Sequence, residues 1–167
     1  PARDASLFVG ALGNARVEGW PALPGTIVES DAILKLFPKA GRAIGEALTR
    51  ERTLDALRRH DRVHLATHGV LNEQAPLFSA VLMGTNTPGA TRLSLYEIAE
   101  VPLKAKLVVL SACQTRIGAR GYQEHGPGAL HRAALVAGAA SVIASRHARI
   151  KSVERAALKR NHSTRPG

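Results

Sequence analysis

The chain has 167 residues, 45% of them hydrophobic, and a formal net charge of +10 at neutral pH. That length supports one domain with a real core, and the composition is globular rather than disordered. No apolar run approaches the roughly 18–20 residues of a membrane-spanning helix, so no membrane partner is expected.

The opening PARDASLFVG lacks the basic stretch and long apolar core of a signal peptide. A single cysteine excludes an internal disulfide and fits a reducing compartment, so a cytoplasmic location is the expectation. The positive charge is uneven. Residues 146–167 hold seven Lys or Arg against one Glu, and the rest of the chain is close to balanced. Aromatic residues make up only 4%, which leaves few stacking platforms for single-stranded nucleic acid. A basic nucleic-acid-binding domain therefore rests on charge alone, and nucleic acid is not the expected partner.

In chain order, residues 6–12 (SLFVGAL) read as a first strand, and 13–25 (GNARVEGWPALPG) as a loop punctuated by Gly and Pro. Residues 26–37 place Ile27, Ile33, Leu34 and Phe37 at helical spacing. The stretch 41–47 (GRAIGEA) suits a short strand, and Thr49 an N-cap for a helix over 50–59. Strands follow at 62–68 (RVHLATH) and 79–84 (SAVLMG), then a short helix over 93–101 with Ser94 as its N-cap. The run Leu107-Val108-Val109-Leu110 is continuously apolar, as in a parallel strand buried on both faces. A helix over 126–140 and a buried strand over 141–145 complete the pattern, without internal repeats. Alternating strands and helices predict an α/β fold, a three-layer sandwich around a mostly parallel sheet.

In such sheets, sites form beyond the carboxyl ends of the strands. His68 and Cys113 both fall there, 45 residues apart. An imidazole beside a thiol can remove its proton and later protonate a leaving amine. The backbone N–H groups of Gly69 and of Cys113 are candidates for holding the oxyanion. Spacing alone does not separate this dyad from a small buried hydrophobe and a structural histidine.

Other signals have plainer readings. His60, His64 and His68 recur every fourth residue, but Val63, Leu65 and Thr67 favour a strand over a metal-binding helix. His64 is read as a packed strand residue beside the site. Gly10 and Gly13 follow a strand without the full phosphate-binding pattern and are read as a turn. Arg58 and Arg59 are read as a solvated helix face, His125 and His131 as surface residues, and Glu124 as a surface loop acid. Ile150, Val153, Ala157 and Leu158 have roughly helical spacing, in what is read as an unpacked basic end.

Residues 22–37 (ALPGTIVESDAILKLF), 63–70 (VHLATHGV), 107–115 (LVVLSACQT) and 128–145 (GALHRAALVAGAASVIAS) resemble, in order and spacing, the motif blocks of the CHAT family of caspase-like cysteine peptidases. The resemblance implies a caspase–haemoglobinase-like fold over residues 1–145. It implies peptide-bond hydrolysis with His68 as general base and Cys113 as nucleophile, and no metal or organic cofactor. It also implies a protein substrate and a tetratricopeptide-repeat region or partner in a bacterial parent protein.

The chain departs from the family pattern at Arg116, where Gly is usual, and at the Glu124–His125 segment. Residues 146–167 read as a basic tail atypical of the family, so the usual C-terminal part of the domain is expected to be missing or replaced. A catalytically silent caspase-like fragment serving as a protein-interaction module is the alternative. Arg116 and Arg120 are further candidates, as processing sites.

Overall fold

The computed structural model describes residues 6–17, 19–72, 74–113, 135 and 141–144. The expectations for Arg116, Arg120, Glu124, His125, His131 and the tail 146–167 lie outside these residues, as does the helix over 126–140 apart from helical Leu135.

Among the described residues a seven-stranded mixed sheet forms the centre: β1 (Leu7–Ala11), β2 (Gly41–Ile44), β3 (Arg62–Val70), β4 (Ala80–Leu82), β5 (Arg92–Ser94), β6 (Leu107–Cys113) and β7 (Val142–Ala144). Strands β2, β1, β3, β6 and β7 pair in parallel in that order. The β4–β5 hairpin adds to the far end of β3 with antiparallel pairing. The sheet is thus mostly parallel, and the hairpin is its antiparallel departure. The sequence pattern missed β5, whose three residues carry too short an alternation to register.

Helices α2 (Arg50–Arg59) and α3 (Leu95–Ala99) cover one face of the sheet. Ala56 and Leu57 of α2, with Leu95 and Ile98 of α3, join Phe8, Val63, Leu65, Val81, Val108 and Leu110 in the main core. Both helices start where expected. Thr49 accepts the N–H of Arg52 at 3.3 Å. Ser94 and Glu97 form a reciprocal capping box. Arg58 and Arg59 are exposed, as the charge pattern indicated.

Helix α1 (Gly25–Leu36) packs on the other face, against β1 and β3. Its fully buried residues are Thr26 and Ser30, not a run of large apolar side chains. Each hydroxyl is satisfied locally: Ser30 Oγ donates to the Thr26 carbonyl at 2.7 Å, and Thr26 Oγ1 donates to that of Leu23 at 2.7 Å. Small side chains bring the helix close to the sheet. Ile27, Ile33 and Leu34 are only half-buried, and Phe37 is exposed, unlike the inward stripe that their spacing suggested.

Candidate active site between adjacent parallel strands

The ladder between β3 and β6 runs unbroken from Arg62↔Leu107 to His68↔Cys113. His68 and Cys113 are register partners on neighbouring strands, whose axes in such sheets lie about 4.8 Å apart. His64 and Ser111 both bond to Glu29 of α1, and side chains alternate along a strand, so His64, His68 and Ser111 belong to the face that α1 covers. Cys113 ends β6, at the carboxyl edge where the strand pattern put it. His68 differs slightly from expectation. It lies inside β3, which continues through Gly69 and Val70 because β4 offers those residues a partner strand.

The loop after β1 folds back over His68. Leu23 donates its N–H to the Gly13 carbonyl at 2.8 Å, and Gly13 donates to Thr26 Oγ1 at 2.9 Å. Val17 and Trp20 form a further bridge. Gly13 and Gly19 take φ of 57° and 76°, a region that glycine enters at little steric cost. The loop thereby sets the Trp20 ring 5.0 Å from the His68 ring, centroid to centroid, and brings the Pro21 carbonyl oxygen 2.7 Å from His68 Nε2. His68 is fully buried. A carbonyl only accepts, so Nε2 carries a proton, and the tautomer compatible with this bond keeps the ring's lone pair on Nδ1. That is the tautomer an imidazole base needs.

Further along the same face, His64 Nε2 lies 2.8 Å from Glu29 Oε1, and Ser111 Oγ donates to Glu29 Oε2 at 3.1 Å. Burial pulls the Glu29 carboxyl upward. The hydrogen bonds from His64 and Ser111, with the charge His64 carries when protonated, outweigh it and leave Glu29 below the ordinary glutamate value. One carboxylate on α1 thus ties β3 to β6, the two strands that carry His68 and Cys113. His64 is the packed strand residue the sequence suggested, and Glu29 and Ser111 are partners the sequence reading did not name.

The three periodic histidines do not converge. His60 caps the end of α2, while His64 and His68 stand four residues apart on a strand. Among the described residues no group of three or more His, Cys, Asp or Glu is placed to hold a metal ion. Gly10 lies within β1, and Gly13 takes part in the loop bridge instead of a phosphate cradle. No helix among the described residues is long and apolar enough to cross a membrane.

Trp20, Pro21, Glu29 and Ser111 are the site residues that periodicity did not reveal. One signal was available for Trp20: it is the sole tryptophan, set in a Gly/Pro-rich loop directly after a strand.

No curated protein sequence matches the chain closely enough to add a named relative. The family model of the CHAT domain matches residues 2–152, nearly the whole sequence, and that span holds both His68 and Cys113. With its α/β architecture and mixed sheet, the chain belongs to the CHAT domain family, a family related to caspase-like peptidases.

Proposed function

We propose that the chain is a cysteine endopeptidase domain with a caspase-like fold, cleaving a protein substrate through Cys113 and His68. The observation that carries this reading is the pairing of the two residues on adjacent parallel strands, with Nε2 of His68 already committed to Pro21. In this mechanism the Cys113 thiol gives its proton to His68 Nδ1 as sulfur attacks the scissile carbonyl carbon. The carbonyl becomes an oxyanion held by backbone N–H groups, with Gly69 and Cys113 as the candidates. Collapse breaks the C–N bond, and His68 returns the proton to the departing amine. Water, deprotonated by the same imidazole, then releases the acyl group from sulfur. These steps draw on no metal or organic cofactor.

A tetratricopeptide-repeat region, in the parent protein or as a separate chain, is the regulatory partner that goes with this reading.

The test is labelling of Cys113 by peptide ketone probes with varied P1 residues, read by intact mass. Labelling that depends on P1, disappears in Cys113→Ala and slows roughly 10²–10⁴-fold in His68→Ala is the expected result. Labelling indifferent to P1 and to His68 would mark an ordinary exposed thiol. No labelling of the folded chain would favour a silent interaction module.

A further inference from the structure

A cavity shares the face and the end of the sheet that carry His68. It encloses about 280 Å³, and Val17, Trp20, Leu82 and Pro88 form its apolar walls, with Asn86, Thr91 and Arg92 at its polar side. Trp20 is common to both places, lining the cavity while its ring packs at a tilt against that of His68.

Strand order fixes where this cavity lies relative to the dyad. β6 occupies one edge of β3 as far as His68, whereas β1 occupies the other only as far as Ala66, so β4 follows β1 along that second edge. Thr67 Oγ1 donates to the Leu82 carbonyl at 2.7 Å, which holds Leu82 beside that second edge. Leu82 is in turn the register partner of Arg92 on β5. Across the sheet the order is therefore Cys113, His68, Leu82, Arg92, with about 4.8 Å per strand.

Chemistry gives that line a direction. In acyl transfer the carbonyl carbon bonds to the nucleophile, and the departing nitrogen takes its proton from the acid. The step from Cys113 to His68 is the step from the acyl half of a substrate to its amine half. Whatever lies one or two strands beyond His68 meets the residues that follow the scissile bond.

Resting on the peptidase reading above, we infer that this cavity is a leaving-group subsite. It takes an apolar side chain, of leucine or methionine size, from the first residue after the scissile bond. Arg92 receives a carboxylate from the residue behind it. Arg92 is exposed and makes no salt bridge among the described residues, so its charge is open to a substrate acid. Trp20 forms the wall between the reacting atoms and the side chain that specifies them.

The experiment uses the full chain and has three readouts. Peptide ketone probes, which have no residue after the scissile position, report the dyad alone. Quenched peptides then join the acyl half of the fastest probe to Leu-Asp, Gly-Asp, Leu-Lys or Gly-Lys. Finally, free peptides beginning with those pairs are titrated into Cys113→Ala while the fluorescence of Trp20, the only tryptophan, is followed.

The expected result is a kcat/KM at least about tenfold higher for Leu-led than for Gly-led substrates, in line with burial of one apolar side chain. The Trp20 emission should shift and saturate with the Leu-Asp peptide, and Arg92→Glu should turn the preference from Asp towards Lys. Equal kcat/KM for Leu and Gly, with Cys113 still labelled by the probes in a His68-dependent way, would overturn the subsite and leave the peptidase standing. Failure of both labelling and cleavage would overturn the peptidase reading, and the subsite with it.

Discussion

His68 Nε2 lies 2.7 Å from the carbonyl oxygen of Pro21. A backbone acceptor cannot be protonated or rotated away like a carboxylate, so it holds one tautomer as long as the loop stays folded. In nitrogen-15 spectra of histidine-labelled protein above the imidazole titration range, His68 should carry its proton on Nε2, also in Cys113→Ala. A proton found on Nδ1 would leave no lone pair for the thiol and would sink the dyad.

Trp20 backs the same ring at 5.0 Å. Trp20→Ala should free the loop and let the imidazole wander. Misplacement of a catalytic group by about 1 Å can cost on the order of a hundredfold in rate. We expect probe labelling of Cys113 to fall roughly tenfold to a hundredfold in a chain whose circular dichroism is unchanged. Undiminished labelling would show that Pro21 alone positions the ring.

Glu29 makes a different kind of tie, between helix and sheet. Its folded-state carboxyl titrates below the ordinary value of 4.5. The ionised form is therefore favoured by folding. Its contribution is complete above the unfolded value and is lost as pH falls through the lower folded one. Glu29→Gln should cost ~1.5–3 kcal/mol at neutral pH, the scale of hydrogen bonds to a charged group. The difference should shrink between pH 4.5 and pH 3, as urea unfolding at each pH will reveal. A gap that stays constant down to pH 3 would mean that the carboxylate charge is not what binds α1 to β3 and β6.

The strands that carry His68 and Cys113 were legible because long runs such as Leu107–Leu110 have one stable place, inside a parallel sheet. The caps at Thr49 and Ser94 were legible for a similar reason, since each acts on its own helix turn. Pro21, Trp20 and Glu29 were not. Their roles depend on how the loop after β1 crosses the sheet, and no local period encodes that crossing. Helix α1 misled for a related reason: the sheet selects its small buried residues, Thr26 and Ser30, over the larger ones that dominate a periodicity count. Gly69 stands between these cases. Its place after His68 was plain, and so was the strand that holds Val81, but no local pattern shows that the two pair antiparallel and so draw Gly69 into β3.

His60 supplies a pH effect of opposite chemistry. It caps α2, packs against Phe8 with ring centroids 5.7 Å apart, and its Nδ1 is buried without a hydrogen-bond partner among the described residues. Burial, followed by the charge of Lys104, lowers its pKa from 6.5, against the weaker pull of Asp55 and Asp61. The folded state disfavours the protonated ring. Stability is thus full above pH 6.5 and declines as pH falls towards the depressed folded value. His60→Phe should flatten that decline between pH 7.5 and pH 5 without lowering stability at pH 7.5. Equal slopes for both proteins would show that another group carries the acid sensitivity.

Gly84 links the β4–β5 hairpin to the opposite side of the sheet. Its N–H donates to the Leu48 carbonyl at 2.8 Å. A Cβ at this position would meet the Gly45 carbonyl oxygen at 1.9 Å and its carbon at 2.6 Å. Both are backbone atoms, so no side-chain rotation relieves the overlap. Gly45 itself needs its left-handed conformation, at φ 65°, to leave β2. Gly84→Ala must therefore push the hairpin away from the end of β2, at a cost we expect to reach ~2–4 kcal/mol. Because Leu82 and Arg92 move with the hairpin, the same substitution should blunt the preference for Leu after the scissile bond more than it slows probe labelling of Cys113. Thermal unfolding and the Leu-to-Gly ratio of kcat/KM measure the two effects separately. An unchanged melting temperature would show that the backbone at Gly45 yields, whereas a lower one with the ratio intact would place the leaving-group subsite elsewhere than on this hairpin.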